Sequence, residues 1–170
     1  MNTQVAVGEK RVPSAEKQDF KNRYLESLTL IERLHRRLLD VIKDDFERSG
    51  EKEVNPVQAL LLFNIADAEL TAGELKTRGH YQGSNVSYNL KKLVDLGYIN
   101  HERSPHDKRA VRVSLTDKGE AVRARVDSLY NRQLAAIEQV VGLSTNEFDS
   151  LNRALTRLER YWTDQILYRL

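Results

Sequence analysis

The chain has 170 residues, of which 40% are hydrophobic and 31% are charged, with only eight Gly and three Pro. This balance excludes collagen-like, Pro- and Gly-rich and wholly disordered proteins, and it favours long helices. Because the sequence contains no cysteine, disulfides, thiolate metal sites and cysteine nucleophiles are excluded as well. The formal net charge is only +2, so a preference for an anionic partner must come from how the charge is distributed.

The sequence predicts neither a membrane span nor a secretory leader. Its longest uninterrupted apolar run is Ala59–Phe63, which is far too short to cross a bilayer. The first fifteen residues lack the apolar centre of a signal peptide. We therefore expect a cytoplasmic protein with no membrane partner.

The N-terminal part predicts a flexible arm followed by a long helix. Residues 1–15 mix Gly, Pro, Lys and Glu without a period, which is typical of an arm. Over 16–50, apolar residues at steps of three and four line one stripe of a helix: Phe20, Tyr24, Leu28, Ile31, Leu34, Leu38 and Val41. Leucines beside this stripe widen the apolar face, so the helix should pack on more than one neighbour.

The region 51–115 begins with a strong helix start. Asn55 can cap a helix, Pro56 suits its first position, and Gln58 can reach back to the cap. The helix that follows is nearly all apolar, and it should form the buried centre of its domain.

Two more helices and a β-hairpin complete this region. Thr71–Glu74 is a capping box that opens a short second helix, and a third helix covers about 84–96 before Gly97 ends it. The apolar period then changes from helical to alternating in Tyr98–Ile99 and in 110–115. Turn residues lie between these two stretches, which predicts a hairpin with an exposed tip.

The C-terminal region 116–170 predicts two helices. Thr116 caps a long helix to about Val141, Gly142 stops it, and the capping box Ser144–Glu147 opens the last helix. The apolar residues of both helices again recur at steps of three and four.

This order of elements predicts a mainly α fold with a small β-hairpin wing. The winged helix-turn-helix, a DNA-binding domain, covers 51–115, and dimerisation helices flank it in 16–50 and 116–170. Because the flanking helices carry more apolar surface than one small domain can cover, the pattern favours a homodimer joined through both chain ends.

The charge is unevenly distributed. Between Thr71 and Leu115 there are eight basic and four acidic residues, a net charge of +4, whereas the rest of the chain carries −2. A small basic domain flanked by slightly acidic helices is typical of a protein that binds duplex DNA. Taken alone, the same charge is equally consistent with a solvated face.

The third helix offers candidate DNA-reading side chains on its polar face: Ser84, Asn85, Ser87, Tyr88, Lys91 and Lys92. Asn can read adenine, Ser can contact a base or a phosphate, and Lys can reach guanine or phosphate. Ser84 is explained equally well as a helix cap. Ser87 and Tyr88 lie one turn further in, where capping is no explanation, so they favour DNA contact.

The hairpin tip is the second candidate surface, with the basic residues Arg103, His106, Lys108 and Arg109 around a Pro-containing turn. An arginine at the end of such a wing can lie in the adjacent minor groove. Asp107 precedes Arg109 by two residues and would hold its guanidinium group in position. The alternative is a solvated basic hairpin.

The residues Val86–Ile99 and Arg103–Gly119 resemble the MarR family of bacterial transcriptional regulators. The most specific part is the wing signature Asp-x-Arg, a strand, and Leu-Thr-x-Lys-Gly, present here as Asp107-Lys108-Arg109 and Leu115-Thr116-Asp117-Lys118-Gly119. Where the family commonly has Thr-Arg early in the recognition helix, this chain has Ser87-Tyr88.

The resemblance implies a sequence-specific regulator that binds a palindromic operator in double-stranded DNA as a homodimer. Each recognition helix would enter a major groove, and Arg109 would enter the minor groove. The family also implies a repressor relieved by a small aromatic or phenolic effector beside the helical layer, which is rich in aromatic residues: Phe20, Tyr24, Phe63 and Tyr130. No other cofactor is expected.

Two other classes of function were weighed against this one. The four histidines, His35, His80, His101 and His106, show no metal-ligand spacing, and the sequence has no Gly-rich phosphate loop or nucleophile elbow. We therefore expect no enzyme, no catalytic residue and no metal. The second alternative is a winged-helix module that binds a protein through the aromatic residues of its last helix: Tyr161, Trp162 and Tyr168.

Overall fold

The computed structural model describes the backbone of residues 14–65, 70–71, 83–103 and 111–168, and the side chains of 15–65, 87–102 and 113–168. The chain divides into two compact units, of which the first ends at Val57 and the second begins at Gln58. The finer division into arm, dimerisation helices and DNA-binding domain stays a prediction.

The first unit contains helix α1 (Ser14–Arg48), which confirms the predicted long helix. The helix ends because the chain turns away at Gly50, whose φ of +78° lies in the left-handed region that favours glycine. The carbonyl of Phe46 accepts hydrogen bonds from the backbone N–H groups of Ser49 and Glu51 across this turn.

The apolar face of α1, which includes residues beside the predicted stripe, is only partly covered. Ile42 and Phe46, near its end, are buried, as is Val54 in the following loop. In contrast, Phe20 and Leu34 are 75% and 65% exposed. The N-terminal two-thirds of α1 therefore include large apolar side chains that are exposed among the described residues.

Helix α2 (Pro56–Ile65) has more buried apolar residues than any other described helix. Its buried apolar residues are Ala59, Leu60, Leu61, Leu62 and Ile65, which confirms the expected buried centre. Gln58 is also completely buried.

Helix α3 (Gly83–Asp95) is the predicted third helix, and it ends as the sequence indicated. Gly97 has a φ of +76°, and the N–H of Tyr98 donates to the carbonyl of Leu93 at 2.8 Å. This is a Schellman motif, which satisfies carbonyl groups that a helix end leaves unpaired. The predicted second helix, after Thr71, falls on 72–80 and lies outside the described residues.

The predicted hairpin is present as an antiparallel pair, β2 (Ile99–Arg103) and β3 (Val111–Leu115). Ile99 pairs with Leu115 at one end and Arg103 with Val111 at the other. A third strand was not predicted: β1 (Leu70–Thr71) pairs antiparallel with β3, which gives the order β1-β3-β2. Two residues are too few to show an alternating pattern, so the sequence carried no signal for β1.

The predicted helix to Val141 is instead two elements. Helix α4 (Asp117–Ala136) is followed by a π-helical turn, Ile137–Val141. The N–H of Gly142, whose φ is +70°, donates to the carbonyl of Ile137 at 3.1 Å and closes this wider turn. Hydrophobic spacing does not distinguish a π turn from the end of an α-helix. The role of Gly142 as terminator was predicted.

Helix α5 (Thr145–Tyr168) follows the predicted capping box. The Ser144 hydroxyl accepts from the N–H of Glu147 at 3.3 Å, and the Glu147 carboxylate accepts from the N–H of Ser144 at 2.8 Å. No described residue of α5 is buried, although the helix is amphipathic. Its large apolar residues thus form a face that the described part of the chain leaves exposed.

Among the described residues, no helix is both long enough and apolar enough to cross a bilayer.

The capping box predicts a pH-dependent stability. Hydrogen bonds from the hydroxyl group and then the N–H group of Ser144 lower the pKa of Glu147 below its ordinary value of 4.5. Its contribution is therefore fully present above pH 4.5 and is lost as the pH falls through the lowered pKa. We expect Glu147→Ala to reduce the free energy of unfolding at pH 7 and to cost less at pH 3, as measured by urea denaturation. Equal costs at both pH values would contradict the charge-assisted cap.

Candidate nucleic-acid interface

Helix α3 presents a polar, basic outer face. Among its described side chains Ser87, Tyr88, Lys91 and Lys92 are exposed, whereas Leu90 is buried on the inner side. Residues three and four positions apart lie on the same helix face, so these exposed groups form one continuous surface. Hydroxyl and ammonium groups of this kind can contact base edges and phosphates.

The first turn of α3 carries two further candidates. Ser84 and Asn85 lie in the helix by their backbone, but their side chains are outside the described residues. Their predicted roles in reading bases stay predictions.

A buried hydrogen bond fixes the inner side of α3. The Nε2 group of Gln58, in α2, donates to Oδ1 of Asn89 at 3.2 Å, and Asn89 is half-buried. The sequence predicted that Gln58 can reach back to its own helix cap, and that contact stays a prediction. The hydrogen bond to α3 is explained by burial, because a fully buried amide needs polar partners and the facing helix provides one.

The end of α3 is joined to the start of α4 by what we call the helix–wing junction, residues 96–98 and 116–119. The Thr116 hydroxyl donates to the carbonyl of Gly97 at 2.8 Å and accepts from the N–H of Gly119 at 3.1 Å. It therefore caps α4, as predicted, and also holds the turn that ends α3. The backbone N–H of Thr116 donates to the carbonyl of Tyr98 as well.

Lys118 completes the helix–wing junction. Its Nζ donates to the carbonyl of Leu96 at 3.1 Å and lies 4.2 Å from the ring centroid of Tyr98. A cation at the C-terminal end of α3 also interacts favourably with the helix dipole. Tyr98 itself is buried, so this contact joins a surface charge to the core.

Gly119 is required by close approach and not by backbone conformation. A Cβ at this position would overlap the backbone carbonyl of Tyr98. The Leu-Thr-x-Lys-Gly motif thus has a structural role. Its residues Thr116, Lys118 and Gly119 each contact the turn after α3.

The wing is described only along its strands. The backbone of Arg103 pairs with Val111 at the outer end of β2, and its side chain is not described. The remaining candidates lie in 104–110, outside the described residues: His106, Asp107, Lys108 and Arg109. Their predicted roles in the minor groove stay predictions.

Outside the outer face of α3, the described residues include a cavity and an aromatic pair. No group of three or more His, Asp or Glu side chains there could hold a metal ion. A cavity of about 460 Å³ lies at the end of α1 and is lined by Lys43, Phe46, Glu47, Glu51, Lys52, Val54, Asn55 and Pro56. In the second unit Phe63 and Tyr130, predicted for an aromatic layer, pack edge to face with centroids 5.2 Å apart.

Comparisons with known proteins agree with this geometry. The family model described as a winged helix DNA-binding domain matches residues 54–119. The exopolysaccharide II synthesis transcriptional activator ExpG of Rhizobium meliloti is 35% identical over 148 residues, covering 85% of this chain and 74% of that protein. The HTH-type transcriptional regulator BilQ of Clostridioides difficile is 23% identical and covers 67% of this chain and 76% of its own length.

Solved structures show the same fold. Streptococcus pneumoniae FabT in complex with DNA has a TM-score of 0.64 at 21% identity and covers 83% of this chain and 98% of its own. A mutant MarR of E. coli complexed with operator DNA has a TM-score of 0.64 at 23% identity and covers 81% and 96%.

The helix–wing junction yields a stability prediction. Alanine is normally about 1 kcal/mol better than glycine in a helix. For Gly119→Ala we expect a net loss of about 1–3 kcal/mol, because the added methyl forces the Tyr98 carbonyl away. Urea denaturation measures the change, and Ala121→Ser, at an exposed position of α4, should stay within about 0.5 kcal/mol. A stabilised Gly119→Ala variant would show that the close approach is not needed.

Proposed function

Since the chain belongs to the MarR family of winged-helix DNA-binding transcriptional regulators, we propose that it binds a palindromic operator in double-stranded DNA as a homodimer. The observation that carries the proposal is the outer face of α3, where Ser87, Tyr88, Lys91 and Lys92 are all exposed. The inner face is held by Gln58 and the end of the helix by the helix–wing junction. A well-held helix with an exposed polar face is what major-groove reading requires.

Homodimerisation is supported by the uncovered apolar faces. On α5 the exposed large apolar residues are Phe148, Leu151, Leu155, Tyr161, Trp162, Ile166, Leu167 and Tyr168. A second copy of the chain would bury these side chains in a two-fold interface. Two-fold symmetry then explains a palindromic operator, whose half-sites lie about 34–36 Å, or one helical turn, apart.

We further propose that the wing contributes Arg109 to the minor groove, with Asp107 positioning it. Asn85 and Ser84 would act from the first turn of α3, together with the basic residues near the hairpin tip: Arg103, His106 and Lys108. The basic balance of residues 71–115 supports this assignment. A protein of this kind acts in the cytoplasm and needs no catalytic residue, and the relatives named above are regulators.

The direction of regulation depends on where the operator lies. We propose a repressor, whose bound dimer excludes RNA polymerase from an overlapping promoter. The relative from Rhizobium meliloti is named an activator, and a dimer bound upstream of a promoter would be free to act in that way. Mapping the bound site against the transcription start decides between the two.

A small aromatic or phenolic effector is proposed to relieve binding. It can do so only if it binds more tightly to a dimer whose two recognition helices are wrongly spaced for DNA than to one whose spacing fits. Support comes from the aromatic contact of Phe63 with Tyr130 in the second unit. Phe20, the fourth residue of the predicted layer, is 75% exposed. Titration of candidate phenolics should shift both the melting temperature and the affinity for DNA.

DNA binding is tested with duplexes that the full-length protein selects from a random-sequence library. We expect an affinity that falls steeply as salt rises, because phosphate contacts release counterions. Arg109→Ala should weaken binding by about tenfold to a hundredfold and leave the dimer intact. Arg37→Ala, an exposed arginine of α1, is the matched control and should bind like the unaltered protein.

The outcome also separates the alternatives. No retention of any duplex at low salt would favour the winged-helix module that binds a protein. Specific binding with unchanged affinity in Arg109→Ala would remove the wing from the interface.

The dimer is tested by placing a charge on the apolar face of α5. Leu155→Glu should raise the dimer dissociation constant at least about a hundredfold, because an unpaired carboxylate would be buried in both copies. Sedimentation velocity measures the effect. Arg153→Glu puts the same side chain on the polar side of α5, where the residues three and four positions away are Asp149, Ser150, Thr156 and Arg157, and this variant should remain dimeric. A monomeric unaltered protein would overturn the two-fold model.

A further inference from the structure

Tyr88 differs from the other exposed residues of α3. Its side chain is 67% exposed, and in the described part of the chain it makes neither a hydrogen bond nor a ring contact. Ser87, Lys91 and Lys92 beside it are polar or charged. Tyr88 is therefore the one large aromatic group on the described outer face of the helix.

The fold of α3 does not need Tyr88. The buried side of the helix is supplied by Leu90 and Leu93, and Asn89 is held by Gln58. The aromatic ring contributes nothing to these contacts. A function outside the domain core accounts for its position.

The chemistry of the major groove indicates which base suits this ring. Adenine, guanine and cytosine present hydrogen-bond donors and acceptors there, whereas thymine also presents an apolar C5-methyl group. A ring placed against that methyl gains by removing apolar surface from water. The same ring gains less at cytosine, which has a polar amino group and no methyl.

We propose that Tyr88 contacts the C5-methyl group of a thymine in each half-site and so selects thymine at that position. The inference rests on the proposed function, because it assumes that α3 enters a major groove. Lys91 and Lys92 lie three and four positions further on, on the same side of the helix. Their ammonium groups reach phosphates or guanine and hold the helix in the groove, while Tyr88 supplies the apolar part of base selection.

The experiment removes the methyl group from DNA instead of changing the protein fold. The full-length protein first selects duplexes from a random-sequence library. Each thymine of the selected duplex is then replaced by deoxyuridine, one symmetric pair at a time, and affinity is measured by fluorescence anisotropy. Deoxyuridine pairs like thymine and lacks only the C5-methyl group.

At one symmetric pair of thymines we expect deoxyuridine to weaken binding by about fourfold per half-site, the factor that corresponds to one buried methylene. Tyr88→Ala should bind the thymine and deoxyuridine duplexes equally. Tyr88→Phe keeps the ring and should retain the difference. Lys92→Ala, the matched control, should weaken binding to both duplexes and preserve their ratio.

Three outcomes would overturn the inference. Deoxyuridine effects that persist unchanged in Tyr88→Ala would assign the methyl contact to another residue. Equal affinities at every thymine pair would show that no methyl is read. Loss of the thymine–deoxyuridine difference in Tyr88→Phe would show that the Tyr88 hydroxyl, and not the ring, carries the selection. Failure to select any duplex would instead overturn the proposed function itself. Thermal unfolding of each variant checks that the fold is retained.

Discussion

The helix–wing junction is the contact on which the rest of the DNA-binding surface depends. One threonine, Thr116, starts α4 and at the same time holds the turn that ends α3. Lys118 and Gly119 add a second hydrogen bond and a close backbone approach to the same turn. The direction of α3, the start of β2 and the start of α4 are therefore set at one place, and a change there moves all three.

A second constraint acts on the inner face of α3. The hydrogen bond between Gln58 and Asn89 fixes the rotation of α3 about its own axis, because Asn89 lies on its inner side. Burial of Leu90 and Leu93 adds an apolar contribution. With the inner face and the end of α3 both fixed, Tyr88 on the outer face can be substituted without loss of fold. Such a scaffold allows base preference to change independently of stability.

Local features were predictable from the sequence, and features that join distant segments were not. Capping residues such as Thr116 and Ser144, and stops such as Gly97, act on their own helix and leave a signal in neighbouring residues. The partner of Gln58 lies thirty-one residues away, so nothing near it indicated the contact. The motif that contains Gly119 was visible in the sequence. The reason for glycine there is the close approach of the Tyr98 carbonyl, which only the three-dimensional structure shows.

In the proposed dimer the exposed apolar face of α5 would connect stability to DNA reading. Because no described residue of α5 is buried, a partner that covers this face would add to the stability that capping provides. If that partner is a second copy, the apolar effect that completes the fold also sets the distance between the two copies of α3. Operator spacing then becomes a consequence of helix packing. An effector that alters this packing changes DNA affinity without contacting a base, because only one spacing matches consecutive turns of the duplex.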